Sequence, residues 1–176
     1  MNLTSTYING KGETLKIEYF EGSANSPVEN LDTKILQGVH AFSIVKSSDP
    51  SKNGKMVLVN HPKTGWMPAG GGIESGETYQ EALVREVKEE TNMRVIYQEL
   101  IGFQDIYEPA RTVRQIRSFC IVEPYGDFIA DTDGEIQEIK LIDPKEAKQY
   151  FNWGTIGDRI LERMFELMEK NGITQA

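Results

Sequence analysis

The most informative stretch of this 176-residue sequence is GGGIESGETYQEALVREVKEETNM, residues 70–93. Glycines open the stretch, and Thr78 with Glu81 three positions later forms the capping-box pattern that begins a helix. The apolar residues that follow at helical spacing are Ala82, Leu83 and Val87. Asn92 tolerates the left-handed conformation in which many helices end. The stretch therefore predicts a glycine-rich loop followed by a helix over residues 78–91.

Three glutamates crowd one face of this predicted helix. Glu86, Glu89 and Glu90 stand at positions i, i+3 and i+4, where like charges cost roughly 0.2–0.5 kcal/mol per pair. The last two also lie in the final turn, where the helix dipole disfavours negative charge. Hard divalent cations such as Mg²⁺ would remove the conflict, since they bind carboxylate and carbonyl oxygens. On these residues alone, a solvated acidic helix face is the alternative.

The glycine spacing also resembles that of a P-loop, but one residue excludes this class. Gly71, Gly76 and Thr78 fall on the P-loop pattern, whereas Glu77 occupies the position of the phosphate-binding lysine. An anion at that position repels a phosphate. No dinucleotide-binding fingerprint is present either, because a third glycine at the required spacing is missing.

The same stretch resembles the Nudix box, a 23-residue pattern running here from Gly71 to Met93. That pattern is a glycine, five residues, Glu, seven residues, Arg-Glu, an apolar residue, any residue, Glu-Glu, any residue, glycine and an apolar residue. The sequence departs from it at one position, where Asn92 replaces the glycine. The matching positions are Gly71, Glu77, Arg85, Glu86, Val87, Glu89, Glu90 and Met93.

The resemblance implies an α/β fold, the Nudix α/β/α sandwich with a central mixed β-sheet. It also implies a Nudix pyrophosphohydrolase that cleaves a diphosphate bond in a nucleoside diphosphate linked to another group, including nucleoside triphosphates and modified ones. An ADP-ribose or nucleotide-sugar pyrophosphatase is a second enzymatic reading. A Nudix-like regulatory domain that binds a nucleotide without cleaving it is the alternative of a different class.

By the same resemblance, the box residues divide into metal ligands and supporting residues. Glu86, Glu89 and Glu90 are expected to be catalytic and to bind Mg²⁺ or Mn²⁺, with the Gly70 carbonyl as a further ligand. Arg85 belongs to the same catalytic set, and we expect it to form an ion pair with Glu77 that braces the helix.

The general base is left open among box and downstream acids. Glu86 is the first candidate, and Glu135 and Glu138 are downstream candidates. Together with Asp131 and Asp133, these downstream acids form a cluster that a solvated loop would explain equally well.

Candidate substrate-binding residues lie outside the box. Arg111 and Arg117 share one strand parity and Arg114 has the other, so the three cannot all face one pocket. Aromatic side chains stack on nucleobases. Trp66 is the first choice among them, and Tyr107 and Trp153 are also considered. His40 and His61 are expected to be core or surface residues, because no metal-site spacing links them.

The chain divides into an N-terminal extension, residues 1–30, and a Nudix domain, residues 31–176. Residues 14–20 alternate in polarity and predict a strand, which a turn at residues 9–12 would place in a hairpin. This strand either folds back on its own domain or pairs with a second copy to make a homodimer. Further strands are predicted over 35–46, 55–60, 93–107, 113–123 and 136–142, helices over 144–150 and 155–170, and a loop over 68–76.

Composition narrows the function classes further. Acidic residues number 27 against 19 lysines and arginines, a net charge of −8. This argues against binding of duplex nucleic acid, which requires a positive face, and is compatible with a protein that holds metal cations. The expected partner, a small nucleotide, is implied by the resemblance. Cys120, the only cysteine, excludes an internal disulfide. Without a signal-like start or an apolar run of about 18 residues, we expect a cytoplasmic protein that contacts no membrane.

Overall fold

The computed structural model describes residues 2–21, 27, 35–130 and 134–174. Three α-helices are present in these residues, α1 (Tyr79–Thr91), α2 (Ala147–Tyr150) and α3 (Gly154–Lys170), and a 3₁₀ turn over Pro144–Glu146 precedes α2. The strands are β1 (Asn2–Ile8), β2 (Thr14–Glu21), β3 (Ile35–Val45), β4 (Met56–His61), β5 (Gly65–Met67), β6 (Ala69–Gly72), β7 (Met93–Tyr107), β8 (Thr112–Pro124) and β9 (Ile139–Ile142).

The strands form one mixed sheet. Its main path is β1-β2-β7-β8-β3-β4-β5, with β6 paired to β3 and β9 paired to β4. The β3–β8 pairing is parallel, and the other pairings described are antiparallel. The predicted mixed sheet is therefore confirmed.

Helices cover the two faces of this sheet. On one face, Ala82, Leu83 and Val87 of α1 pack with Val39 and Ala41 of β3. On the other, α3 packs against the alternate residues of the same strand. The side chains of that second core include Phe42, Ile44, Ile156, Ile160 and Met164. Because β3 sends successive side chains to opposite faces, the fold is the expected α/β/α sandwich.

The N-terminal residues form a hairpin that extends the sheet. β1 and β2 pair in antiparallel register, and the turn closes where Gly12 donates to the Asn9 carbonyl at 3.0 Å. β2 then pairs with β7. The strand thus folds back on its own domain in the described structure, while a homodimer stays a prediction. The proposed boundary at residues 30 and 31 lies outside the described residues.

Two sequence-based boundaries were wrong. The first half of the predicted loop over 68–76 is strand β6, which pairs with β3 through Gly38–Ala41. Glycine-rich segments carry no strand signal, so the pattern could not show this pairing. The late strand begins at Ile139 instead of residue 136, which places Glu138 just before it. Strand β5 was not predicted.

The predicted ends of helix α1 are confirmed. The Thr78 hydroxyl accepts from the Glu81 amide at 3.1 Å, and the Glu81 carboxylate accepts from the Thr78 amide at 2.8 Å. Asn92 ends the helix in the left-handed region with φ 53°. Its side-chain amide also donates to the Asp127 carbonyl at 2.9 Å. Asn92 thus supplies the turn that glycine gives in the family pattern.

None of the helices in the described part of the chain combines the length and apolar character that a membrane span requires. Cys120 is buried as a free thiol, as expected. The cytoplasmic location stays a prediction.

Replacing Asn92 tests the left-handed turn. We expect Asn92→Ala to lower the free energy of unfolding by about 1–2 kcal/mol, because alanine is strained at positive φ and loses the bond to Asp127. Asn92→Gly should lose clearly less, since glycine adopts this conformation without strain. Urea denaturation of both variants provides the measurement, and equal losses would contradict the role given to the turn.

The hairpin is tied to α3 by an ion pair with a pH signature. Arg159 Nε lies 2.8 Å from Glu21 Oε2, and this bond holds the pKa of Glu21 below its ordinary value. A lowered carboxyl pKa contributes stability above the ordinary value and loses it as the pH falls. Glu21→Gln should therefore cost about 1–3 kcal/mol at pH 7, a difference that shrinks below about pH 4.3.

The matched control for Glu21 uses the same arginine. Glu162 lies 3.2 Å from Arg159 but its side chain is 67% exposed, so Glu162→Gln should change stability by less than about 1 kcal/mol. Thermal unfolding between pH 3 and pH 7 separates the two variants. A pH-independent difference for Glu21→Gln would contradict the ion-pair explanation.

Candidate active site

Strand β6 brings two glycines against the acidic face of α1. The Gly70 amide donates to Glu90 Oε2 at 3.0 Å. The N–H and C=O of a strand residue point to the same edge, so the Gly70 carbonyl also faces the edge occupied by Glu90. The predicted ligands Gly70 and Glu90 are thereby brought together.

Gly71 permits the close approach of α1, and Gly70 permits the close approach of β3. A Cβ at Gly71 would lie 2.6 Å from the Glu86 carboxyl carbon and 2.8 Å from its Oε2. A Cβ at Gly70 would overlap the Val39 carbonyl oxygen of the neighbouring strand. Glu86 therefore rests in a cradle that exists because residue 71 has no side chain.

Arg85 organises the acids around this cradle. Its guanidinium binds Glu77 in a bidentate manner, from Nε at 2.8 Å and Nη2 at 2.9 Å. Nη1 donates to Glu86 at 2.8 Å, and Nη2 also donates to the Gly72 carbonyl at 3.0 Å. The ion pair with Arg85 lowers the pKa of Glu77 to about 2. The predicted pair is thus present, and it connects the loop to the helix.

Burial disfavours the charged forms of Glu86 and Glu90. It raises the pKa of Glu90 to about 8, and the charges of Glu86 and Glu89 add to this effect. Burial also raises the pKa of Glu86, against the opposing effect of Arg85. A hard divalent cation binds carboxylate oxygens and would stabilise their charged form, so this donor set fits such an ion.

The side chains alone do not form a finished metal site. Within the described ranges, no three histidine, cysteine or acidic side chains are already arranged to hold a metal ion. Glu89 lies further out than the other two, with its side chain 53% exposed and 3.4 Å from Arg85 Nη1. Backbone and substrate oxygens would have to complete the coordination, as is common for Mg²⁺.

A cavity of about 780 Å³ opens on the α3 face of the sheet. Its volume lies within the range of small-molecule sites. His40 lines this cavity and pairs across the strands with Gly70, so the cavity lies on the face of the sheet opposite α1, beside the strand that contacts the acids. Its other walls include Thr6, Trp66, Gln115, Arg117 and Trp153.

A family model for the NUDIX domain matches residues 40–164. This match covers most of the chain, including the loop, helix α1 and most of the sheet. The chain belongs to the Nudix family. The sequence-based assignment to this family is confirmed. Its hydrolases act on phosphoric anhydrides.

Individual relatives agree with this Nudix assignment. The uncharacterized Nudix hydrolase YvcI of Bacillus subtilis (strain 168) is 41% identical over 49 residues, which are 27% of this chain and 31% of that protein. The chain therefore matches only about a third of the length of this curated relative.

Solved Nudix structures share the fold over almost their whole length. A mutant of the Bacillus subtilis pyrophosphohydrolase BsRppH has a TM-score of 0.67 at 17% identity, covering 97% of this chain and 99% of that one. The C. elegans Ap4A hydrolase in a binary complex has a TM-score of 0.57 at 17% identity, covering 77% and 98%. At these identities, the likeness extends to the fold alone.

Three of the candidate substrate-binding residues, Trp66, Trp153 and Arg117, line the cavity. Lys140 Nζ lies 4.7 Å from the centre of the Trp66 ring. Arg111 precedes β8 and pairs with Glu108 at 2.9 Å. Tyr107 ends β7 with its ring beside Lys16. Neither of these two residues is among those that line the cavity.

Of the described downstream acids, Glu135 lies close enough to the acidic face of α1 to affect Glu90. Glu135 Oε2 is 2.8 Å from His61 Nε2, and its charge helps to raise the pKa of Glu90. The Glu138 carboxylate accepts a hydrogen bond from the side-chain amide of Asn60 at 3.4 Å. Asp131 and Asp133 lie outside the described residues.

Sequence reasoning missed the place of His40 and Gln115 in the cavity. His40 contacts Arg117 through Nδ1, and burial holds its pKa well below the ordinary value. The available signal was strand parity, because His40 shares the face of Phe42 and Ile44. A polar residue on that apolar face indicated a cavity wall.

Neighbouring glycines should respond differently to the same substitution. In Gly71→Ala, the new methyl group meets the end of the Glu86 side chain, which can shift. We therefore expect the protein to keep most of its stability, while its Mn²⁺ affinity falls about tenfold or more. In Gly70→Ala, the methyl group meets backbone, so the free energy of unfolding should fall by about 1–3 kcal/mol. Calorimetric Mn²⁺ titration and urea denaturation check both, and the cradle is refuted if Gly71→Ala binds Mn²⁺ normally.

Proposed function

We propose that this chain is a divalent-metal-dependent hydrolase that cleaves a diphosphate bond in a nucleoside diphosphate linked to another group. The proposal rests on one juxtaposition. Two partly buried carboxylates, Glu86 and Glu90, lie against strand β6 on the α1 side, and His40, which pairs with Gly70 of that strand, lines a cavity with aromatic side chains on the α3 face. Among the described strands β6 pairs only with β3, so a substrate that passes the other edge of β6 can place its phosphates at the acids and its nucleoside in the cavity.

Nudix proteins use divalent metal ions, and we assign the ligands here to Glu86, Glu89, Glu90 and the Gly70 carbonyl. The raised pKa values of Glu86 and Glu90 are consistent with this, because burial deprives both carboxylates of the hydration that a bound cation would replace. Mg²⁺ is the proposed ion, with Mn²⁺ as a substitute. When bound, such ions neutralise phosphate oxygens and lower the pKa of water.

The protein's own residues supply positioning. Arg85 fixes the carboxylate of Glu86 and ties it to Glu77, so the reactive groups are held before the substrate arrives. We assign Glu86 as the general base that accepts the proton of the attacking water. Glu135 and Glu138 are the alternatives, and the influence of Glu135 on the pKa of Glu90 favours it between the two.

The substrate class is argued from the cavity. Trp66 can stack on a nucleobase, since aromatic faces do so without sequence requirement, and Arg117 provides a cation. The structural likeness to a pyrophosphohydrolase and to an Ap4A hydrolase supports a nucleotide substrate. ADP-ribose or a nucleotide sugar is the second candidate, because a cavity of about 780 Å³ also has room for a sugar.

Replacing Glu86 separates an enzyme from a binding domain. We expect Glu86→Gln to lower kcat by about 10²–10⁴-fold with a modest change in KM, because the variant loses a metal ligand and the proposed base. The measurement is release of phosphate, pyrophosphate or nucleoside monophosphate from a nucleotide panel with Mg²⁺.

Controls for this assay come from other helices and loops. Glu169→Gln removes an exposed carboxylate on α3 and should leave kcat unchanged. Glu135→Gln and Glu138→Gln test the alternative bases, and a loss confined to one of them would move the base assignment there. If the unaltered protein turns over no diphosphate compound, or Glu86→Gln changes only nucleotide affinity, the enzymatic proposal fails.

A further inference from the structure

Two arginines are buried among the described residues, and they are stabilised in different ways. Arg114, on the α1 face of β8, binds Asp105 through two bonds of 2.8 and 2.9 Å. Arg117, three residues later on the α3 face, is only 2% exposed. It has no carboxylate within ion-pair distance in the described part of the chain.

The hydrogen-bond partners of Arg117 are neutral. Nη2 donates to the Gln115 amide oxygen at 2.6 Å, and Nη1 contacts His40 Nδ1. Burial and the positive charge of Arg117 lower the pKa of His40, so the imidazole accepts this bond without adding charge. Nε has no partner in the described residues. These contacts orient the guanidinium but leave its charge uncompensated.

The described residues around the Arg117 guanidinium do not compensate its positive charge. None of the described residues that line the cavity is acidic, although the chain as a whole carries a net charge of −8. The Trp153 ring lies 4.8 Å from the guanidinium carbon and holds one face of the group. Burial lowers the pKa of Arg117 to about 9. A buried unpaired charge is costly to the fold, so an anion from outside would be strongly favoured.

We infer that Arg117 binds a second oxyanion of the substrate, a phosphoryl or carboxylate group distinct from the diphosphate held at the acidic face. This inference rests on the proposed function and narrows it. The preferred substrates are nucleotide derivatives with an additional anionic group on the part that enters the cavity. His40 and Gln115 are positioning residues for the guanidinium.

Fluorescence offers a direct measurement of binding without turnover. The chain has two tryptophans, and both Trp66 and Trp153 line the cavity. Titrations in EDTA use two pairs of probes that differ by one anionic group. Coenzyme A and dephospho-coenzyme A report on a phosphoryl group, and UDP-glucuronate and UDP-glucose report on a carboxylate.

We expect the member with the extra anion to bind about tenfold or more tightly in at least one pair. Arg117→Gln should reduce that ratio to about one, and Arg117→Lys should restore part of it. Arg94→Gln is the matched control, since Arg94 is an exposed arginine paired with Glu123 on the same sheet, and it should leave the ratio unchanged. Thermal unfolding confirms that each variant is folded.

The outcomes distinguish this inference from the proposed function. A ratio near one for both pairs in the unaltered protein, or a ratio that survives in folded Arg117→Gln, refutes the role of Arg117. A ratio of about tenfold or more in the unaltered protein, together with no hydrolysis of these probes or of any compound in the nucleotide panel when Mg²⁺ is supplied, leaves that role standing and refutes the proposed function. The pair that discriminates identifies the oxyanion as phosphoryl or carboxylate.

Discussion

The close contact between helix α1 and strand β6 is the constraint on which the rest of this structure depends. Glu86 can rest on Gly71 only because this glycine has no side chain, and Glu90 accepts the amide of the neighbouring Gly70. Arg85 then neutralises part of the resulting charge and joins the loop to the helix. The cost of gathering acids at the end of a helix is therefore concentrated where a cation can offset it.

Strand β3, which pairs with β6, has side chains on both faces of the sheet. Its odd-numbered residues Val39 and Ala41 pack beneath α1, and its even-numbered residues His40 and Phe42 face α3. The strand that pairs with Gly70 thus also forms a wall of the cavity. The acids and the cavity thus lie on opposite faces of the sheet beside the same pair of strands, and a substrate that occupies both must pass the outer edge of β6.

The sequence predicted those parts of the structure that local residue patterns determine. The capping box, the end of α1 at Asn92 and the stripe of α3 follow from spacing, and the family pattern identified the acidic face. Strand β6 could not be predicted in the same way, because it depends on pairing with a distant strand and leaves no periodic signal in its own segment. Strand parity places His40 on the α3 face, but the cavity there is built from six strands, α2, α3 and the loop between these helices, which the segment around His40 does not encode.

The two halves of the proposed site differ in how the family pattern constrains them. The acids, Arg85 and both glycines lie within residues 40–164, which the family model matches. Ser5, Thr6 and Tyr7 also line the cavity, yet they belong to hairpin strand β1, outside that match. In the proposed function, the cleavage chemistry belongs to the part of the chain that the family model matches, and the hairpin adds to the walls of a cavity that is otherwise formed by matched residues. On this proposal, substrate choice depends on the cavity as well as on the acids, and membership of the family alone does not determine it.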